Sequence, residues 1–102
     1  MENQNTNGKV TLSNKVFKDI AYTAAAKVEN IYPVKNDNSF VDVNIKDGEV
    51  MLKMSVRIKN GVDVVKVCSK LQSTVHEAIE GITGIDCKNI NIDIQGFKTE
   101  KK

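Results

Sequence analysis

The side chains of this sequence that could do chemistry are few: one histidine, His76, and two cysteines, Cys68 and Cys87. A zinc site needs several convergent ligands, and His76 has no second His and no Cys at helical spacing. A nucleophilic Cys needs a neighbouring base, and the sole His lies on a different predicted element from Cys87. Cys68 falls on an apolar helical stripe, where Cys packs as a small hydrophobic residue. We therefore expect His76 to be exposed or to flank the core, and neither Cys to be catalytic. An enzyme that uses Cys87 is the third alternative, after the two binding functions considered below.

The carboxylates are scattered, and several occupy predicted turns, a helix start or cross-strand positions. They include Asp19, Asp37, Asp42, Asp47, Asp63 and Asp93. No spacing holds two of them on one element around a reacting centre, as paired acid–base catalysis requires. Dinucleotide-binding, Walker and nucleophile-elbow motifs do not occur. The sequence therefore predicts a protein that is not an enzyme, with no catalytic residue, no metal ligand, no cofactor and no small-molecule substrate.

The segment Gly81-Ile82-Thr83-Gly84 matches the G-x-x-G loop with which KH domains clamp a nucleic-acid backbone. That loop joins two helices, whereas here a strand pattern follows. A helix end, with Gly81 or Gly84 in the left-handed conformation, explains both glycines better. A KH-like nucleic-acid-binding module, with Lys88 assisting, remains the alternative function.

Composition gives nucleic acid little support as a partner. The net charge is only +2, and Arg57 is the single Arg among fifteen basic residues. Arg supplies the bidentate fork that reads phosphates and guanine edges, which Lys cannot do. The predicted sheet also lacks central aromatic residues on which bases could stack.

The chain has the length of one domain. We expect residues 1–8 to be a flexible polar tail, residues 9–97 a single domain and residues 98–102 a flexible Lys-rich tail. The polar start is not a secretory signal, no apolar run approaches about 20 residues, and two Cys are too few for a disulfide framework. These features predict a cytoplasmic protein whose membrane association would come through a partner.

Residues 9–12 alternate as a short strand. Ser13 then suits a helix N-cap, whose hydroxyl accepts a backbone N–H. The apolar stripe of the predicted helix comprises Val16, Phe17, Ile20, Ala21, Ala24, Val28 and Ile31. Pro33 ends this helix, because a proline disfavours helical geometry at the residue before it.

Asp47 and Gly48 join two alternating runs, residues 40–46 and 49–59, and so predict a hairpin with a two-residue turn. That turn places opposite each other the pairs Ile45 and Val50, Val43 and Leu52, Val41 and Met54, Lys46 and Glu49, and Asp42 and Lys53. All the apolar members then share one side, and a one-residue slip would move them to opposite faces.

A second helical stripe, with Asp63 in its first turn, comprises Val64, Cys68, Leu71, Val75, Ala78, Ile79 and Ile82. A final strand alternates Ile90, Ile92 and Ile94 with polar residues. The fold class is therefore α+β, a β-α-β-β-α-β two-layer sandwich with both helices on one face of a mainly antiparallel sheet. The other sheet face is open. We expect a partner to bind either this open face, with Phe40, Met51 and Phe97 as apolar anchors, or an unpaired edge strand.

Between residues 8 and 97 the chain resembles the alkaline shock protein family, the Gls-type general-stress proteins of Gram-positive bacteria. The resemblance rests on residues 8–21 (GKVTLSNKVFKDIA), residues 71–85 (LQSTVHEAIEGITGI) and residues 89–96 (NINIDIQG), with Gly61 ahead of the second helix. The chain departs from the family in having Asn30 and Ile31 where Gly-Val usually ends the first helix. It also lacks the long charged extensions, as a minimal member would.

The resemblance implies a non-enzymatic accessory protein of envelope stress or envelope-lipid homeostasis. Some members of the family bind a membrane-anchored relative, and some self-associate. The family defines no catalytic residues. The expected function is thus that of a protein-interaction module.

Overall fold

The computed structural model describes residues 13–99. Its elements are α1 (Asn14–Ala25), β1 (Ile31–Pro33), a short 3-10 helix (Asn38–Phe40), β2 (Val41–Lys46), β3 (Glu49–Lys59), α2 (Val64–Thr83) and β4 (Asn89–Lys98). The predicted strand at residues 9–12 and the predicted tail at residues 1–8 lie outside the described residues. Strand β4 continues through Lys98, which we had assigned to the second tail.

Strand β3 is the centre of the sheet. Its residue Met54 lies between Val41 of β2 and Ile92 of β4, and Ile58 lies between Ile31 of β1 and Phe97 of β4. Strands β1 and β2 therefore share one edge of β3, both antiparallel to it, and β4 runs parallel along the other edge. A parallel pair needs a crossover connection, which α2 provides. The predicted α+β class is confirmed.

The hairpin between β2 and β3 has the predicted turn and register. Asp47 and Gly48 both have positive φ, 53° and 80°, as the two-residue turn requires. Ile45 pairs with Val50, and the pairing continues without a shift to Val41 and Met54. Turn chemistry and apolar alternation therefore select the same register.

The core lies between the two helices and one face of the sheet, which we call the closed face. Strand β3 contributes Val50, Leu52, Met54, Val56 and Ile58 to this face, and all five are buried. The helices cover them with Phe17, Ile20, Ala21, Ala24, Leu71, Val75 and Ile79. The alanines of α1 have no side chain beyond Cβ, which allows helix and sheet to approach closely.

Helix α1 is shorter than its apolar stripe predicted. The helix ends at Ala25. The backbone N–H groups of Lys27 and Val28 then donate to carbonyls three residues earlier, and Asn30 has a φ of 71°. Ile31 then enters β1 and pairs with Ile58, so it reaches the core from the sheet. Ser13 precedes the helix as predicted, but its hydroxyl makes no capping bond.

Helix α2 begins and ends at polar signals. Asp63 is its N-cap, one position before the first turn in which we expected it, and accepts a hydrogen bond from the Lys66 N–H at 3.3 Å. Gly84, with a φ of 78°, ends the helix in the left-handed conformation. Ile82 was predicted to face the core and is instead 69% exposed, because it lies at the uncovered end of the stripe.

Phe40 was predicted on the open face of the sheet, and this placement is wrong. Residues 38–40 form a 3-10 helix, in which the Asp37 carboxylate accepts the Ser39 N–H at 2.9 Å. This turn directs Phe40 into the core, where it is 2% exposed and its ring centroid lies 6.1 Å from that of Tyr22. Phe40 therefore stabilises the packing of α1 on the sheet.

Candidate interaction surface

The face of the sheet opposite the closed face is covered by no element among residues 13–99, and we call it the open face. The strand registers assign to it Tyr32 of β1, Asp42, Asn44 and Lys46 of β2, Glu49, Met51, Lys53, Ser55, Arg57 and Lys59 of β3, and Asn89, Asn91, Asp93, Gly96 and Lys98 of β4. Along β3 these positions alternate with the buried ones without a break. The open face is therefore a regular surface on rigid strands.

Charge is distributed unevenly along the open face. At the end nearest the hairpin, Lys46 pairs in register with Glu49, and Asp42 pairs with Lys53, so opposite charges face one another. At the far end Lys98 extends its Nζ to 4.7 Å from the Tyr32 ring centroid, close enough for a cation–π contact. The face is therefore balanced at one end and basic at the other.

Met51 is the apolar residue at the balanced end. It is half-buried, and its two neighbours in register, Asn44 and Asn89, are uncharged. Because its cross-strand neighbours are neutral, Met51 can lose water on binding without removing water from a charge directly opposite it. Among the three predicted anchors, Met51 is the one that the structure places on the open face.

Phe97 lies on the other side of the sheet. A bulge shifts the pairing of β3 with β4 after Val56, so that Arg57 pairs with Gly96 and Ile58 with Phe97. Because residues paired in register share a face, Phe97 follows Ile58 to the helical side, where it is 57% exposed. Its predicted position on the open face is wrong, since one inserted residue reverses the alternation.

The G-x-x-G segment does not form a loop. Gly81 lies within α2, and the N–H of Gly84 donates to the Glu80 carbonyl at 2.9 Å as part of the helix end. Since those backbone groups serve the helix, they are not arranged as the phosphate clamp of a KH domain.

Cys87 is held in the core between α2 and β4. It is 1% exposed, and its Sγ donates to the Val50 carbonyl at 3.3 Å. Burial raises the pKa of the Cys87 thiol, and it likewise raises the pKa of the half-buried Cys68. A raised pKa disfavours the thiolate that nucleophilic catalysis needs.

Sequence reasoning missed the partner of His76. The turn after α2 brings Asp86 back along the helix, so that its Oδ1 lies 2.6 Å from His76 Nε2, and Lys88 Nζ lies 3.8 Å from the same carboxylate. The hydrogen bond raises the pKa of His76 and lowers that of Asp86. No group of three His, Cys, Asp or Glu suited to a metal ion occurs within the described part of the chain.

No helix within residues 13–99 has the length and apolar character needed to cross a membrane. An uncharacterised protein of Bacillus subtilis strain 168, YqhY, is 23% identical to the chain, and the match covers all of this chain and 87% of that protein. No solved structure gives a significant match. The model of the alkaline shock protein 23 family, described as having a cell envelope-related function, matches residues 2–99. The chain therefore belongs to this cell envelope-related family.

Proposed function

We propose that the protein acts in cell-envelope homeostasis and stress as a non-enzymatic interaction module, which binds a protein partner through the open face of its sheet. The partner is a membrane-anchored relative or a second copy of this chain. The protein works in the cytoplasm and reaches the membrane through that partner. Membership in a cell envelope-related family supports the setting, and the open face supports the mode of action.

The observation that carries the proposal is the position of Met51. It lies on the open face, which no element among residues 13–99 covers, and Lys53 is the next residue of β3 on the same face. The two residues paired with Met51 on the neighbouring strands are uncharged. Interface hot spots are desolvated side chains surrounded by contacts that exclude water. The charged pairs beside Met51 would form the polar rim of such an interface.

The reactive side chains support a non-enzymatic role. The Cys87 thiol is buried and engaged with a backbone carbonyl, and His76 Nε2 is engaged with Asp86. A catalytic cysteine and its general base would have to be drawn from these two side chains. Their hydrogen bonds have evident structural purposes, since they tie the loop before β4 to β3 and to α2.

Met51→Lys tests the interface directly. We expect it to weaken association at least about tenfold, because it places a charge at the apolar position of a surface that must lose water. Chemical crosslinking and light scattering of the purified protein measure self-association, and recovery of partners from the native membrane fraction measures binding to a membrane protein. Unchanged self-association together with unchanged recovery would contradict the proposal.

Val65→Lys is the matched control. Val65 is 73% exposed on α2, away from the open face, so the substitution adds the same charge at another exposed apolar position. Both variants should keep the circular dichroism spectrum of the wild type. If Val65→Lys weakens association as much as Met51→Lys does, net charge and not the open face controls binding.

A further inference from the structure

A cleft of about 440 Å³ lies where the end of α1 meets the beginning of α2. Lys27, Val28 and Glu29 line it from the α1 side, and Lys66, Val67 and Lys70 line it from α2. We call it the lysine cleft. It is formed by helices and the loop after α1, so it is separate from the open face.

The lining of the lysine cleft carries an excess of positive charge. Lys27, Lys66 and Lys70 form no ion pair within residues 13–99, and Glu29 is the one carboxylate in the lining. An excess of positive charge around a concave surface focuses a positive potential there.

The walls of the lysine cleft combine this charge with apolar surface. Val28 is buried and Val67 is half-buried, and both line the cleft. The two α2 lysines are four residues apart, so they lie on the same side of the helix. Lys27 lines the cleft from the α1 side, so the three lysines border it from two separate segments of the chain.

We propose that the lysine cleft binds a phosphate group, with Lys27, Lys66 and Lys70 donating to its oxygens and Val28 and Val67 contacting the apolar part of the bearer. Lys binds phosphate well as a flexible point charge with three donors. The phosphate belongs either to a soluble phosphorylated compound or to a lipid headgroup, since both present the same anion.

Titration with inorganic phosphate at constant ionic strength, followed by ¹H–¹⁵N NMR, tests the site itself. We expect saturable shifts of the amides of residues 27–30 and 66–70, and no such shifts when chloride replaces phosphate. The double variant Lys66→Gln, Lys70→Gln should weaken phosphate binding at least about tenfold, because it removes two charge-assisted hydrogen bonds.

The matched control is the double variant Lys18→Gln, Lys35→Gln, which removes the same charge from positions outside the cleft. It should bind phosphate like the wild type. If the two double variants lose affinity equally, overall charge and not the cleft holds the anion, and the proposal is overturned. Circular dichroism checks that both remain folded.

Vesicle flotation distinguishes the two sources of phosphate. Vesicles of phosphatidylcholine with phosphatidic acid are compared with vesicles of phosphatidylcholine alone. Flotation with phosphatidic acid that the cleft variant loses and the control variant keeps identifies a lipid headgroup. Phosphate binding in solution without such flotation identifies a soluble ligand. If neither inorganic phosphate nor phosphatidic acid binds, the lysine cleft is not a phosphate site.

Discussion

The two faces of β3 come from one strand of eleven residues, yet they differ in every property that matters for stability and binding. On the closed face Val50, Leu52, Met54, Val56 and Ile58 are at most 5% exposed and contact the helical layer. On the open face Lys53 and Arg57 are exposed, and Met51, Ser55 and Lys59 are half-buried. Packing within residues 13–99 therefore constrains one face and leaves the other available to a partner.

This contrast separates the residues that specify the fold from those that can carry function. A closed-face side chain that changes size leaves a cavity or overpacks the core, whereas an open-face side chain changes mostly what the surface presents. The open face can thus be altered for specificity with little effect on the sheet.

The largest expected effect comes from placing the same substitution on each face. Leu52→Ala should lower the free energy of unfolding by about 2 to 5 kcal/mol, since Leu52 is 1% exposed and its loss leaves a cavity. Lys53→Ala, one residue away, should cost less than about 1 kcal/mol, because it removes only a cross-strand pair with Asp42. Urea denaturation measures both. Similar losses in the two variants would show that the faces do not differ as described.

A smaller effect is expected at the Asp47-Gly48 turn, which sets the register of the hairpin and therefore decides which residues lie on each face of the sheet. Gly48 has a φ of 80°, so Gly48→Ala should destabilise the protein by about 1 to 2 kcal/mol through backbone strain alone, as no atom lies within 4 Å of the added Cβ. Gly81→Ala is the control, because Gly81 lies in α2 without a positive φ and its replacement should stabilise by up to about 1 kcal/mol. Thermal denaturation should therefore shift in opposite directions, and shifts of the same sign would contradict the turn assignment.

The hairpin could be predicted from sequence because all of its determinants are local. The Asp-Gly turn sets the loop length, and the alternation on both sides fits a single register. Helix α2 was predictable for the same reason, since its stripe and the glycine at its end lie within one segment. Each signal agreed with its neighbours, so no tertiary contact had to decide between alternatives.

The errors arose where a distant contact overrides a local pattern. Ile31 fits the stripe of α1, but pairing with Ile58 places it in a strand. Phe97 fits the alternation of β4, but a bulge against β3 reverses its side. Phe40 fits the start of β2, and here the Asx turn of Asp37 and Ser39 was a local signal that could have been used.

Among candidate sites, most of the open face could be predicted from alternation alone. Tyr32 of β1, the two aromatic anchors and the residues of β4 after the bulge could not. The lysine cleft could not, because Lys27 and Lys66 are far apart in sequence and meet only through the packing of α1 on α2. The ion pair of His76 with Asp86 was missed for a similar reason, since it depends on how the chain turns after Gly84.

The smallest expected effect on stability comes from the ion pair of His76 with Asp86, which helps to attach α2 to the sheet. It links α2, which covers the closed face, to the loop that leads into β4. His76 has its pKa raised from 6.5 in the folded protein, first by the hydrogen bond to Asp86, with Glu77 and Glu80 adding to the shift. Its contribution to stability is therefore complete below about pH 6.5 and is lost as the pH rises through the raised pKa.

Asp86 has the opposite dependence, because its pKa is lowered from 3.8 by His76 and Lys88. Its contribution is present above about pH 4 and is lost as the pH falls through the lowered value. Between these two pH limits the wild type should therefore be more stable than His76→Gln. The difference in their free energies of unfolding should shrink as the pH rises through the raised pKa of His76. Asp86→Asn should abolish the same pH dependence, whereas Glu77→Gln, which removes a charge without a hydrogen bond to His76, should preserve most of it. Denaturation of the four proteins across pH 4 to 9 decides the matter, and a difference that persists unchanged at alkaline pH would show that His76 stabilises α2 by packing rather than by charge.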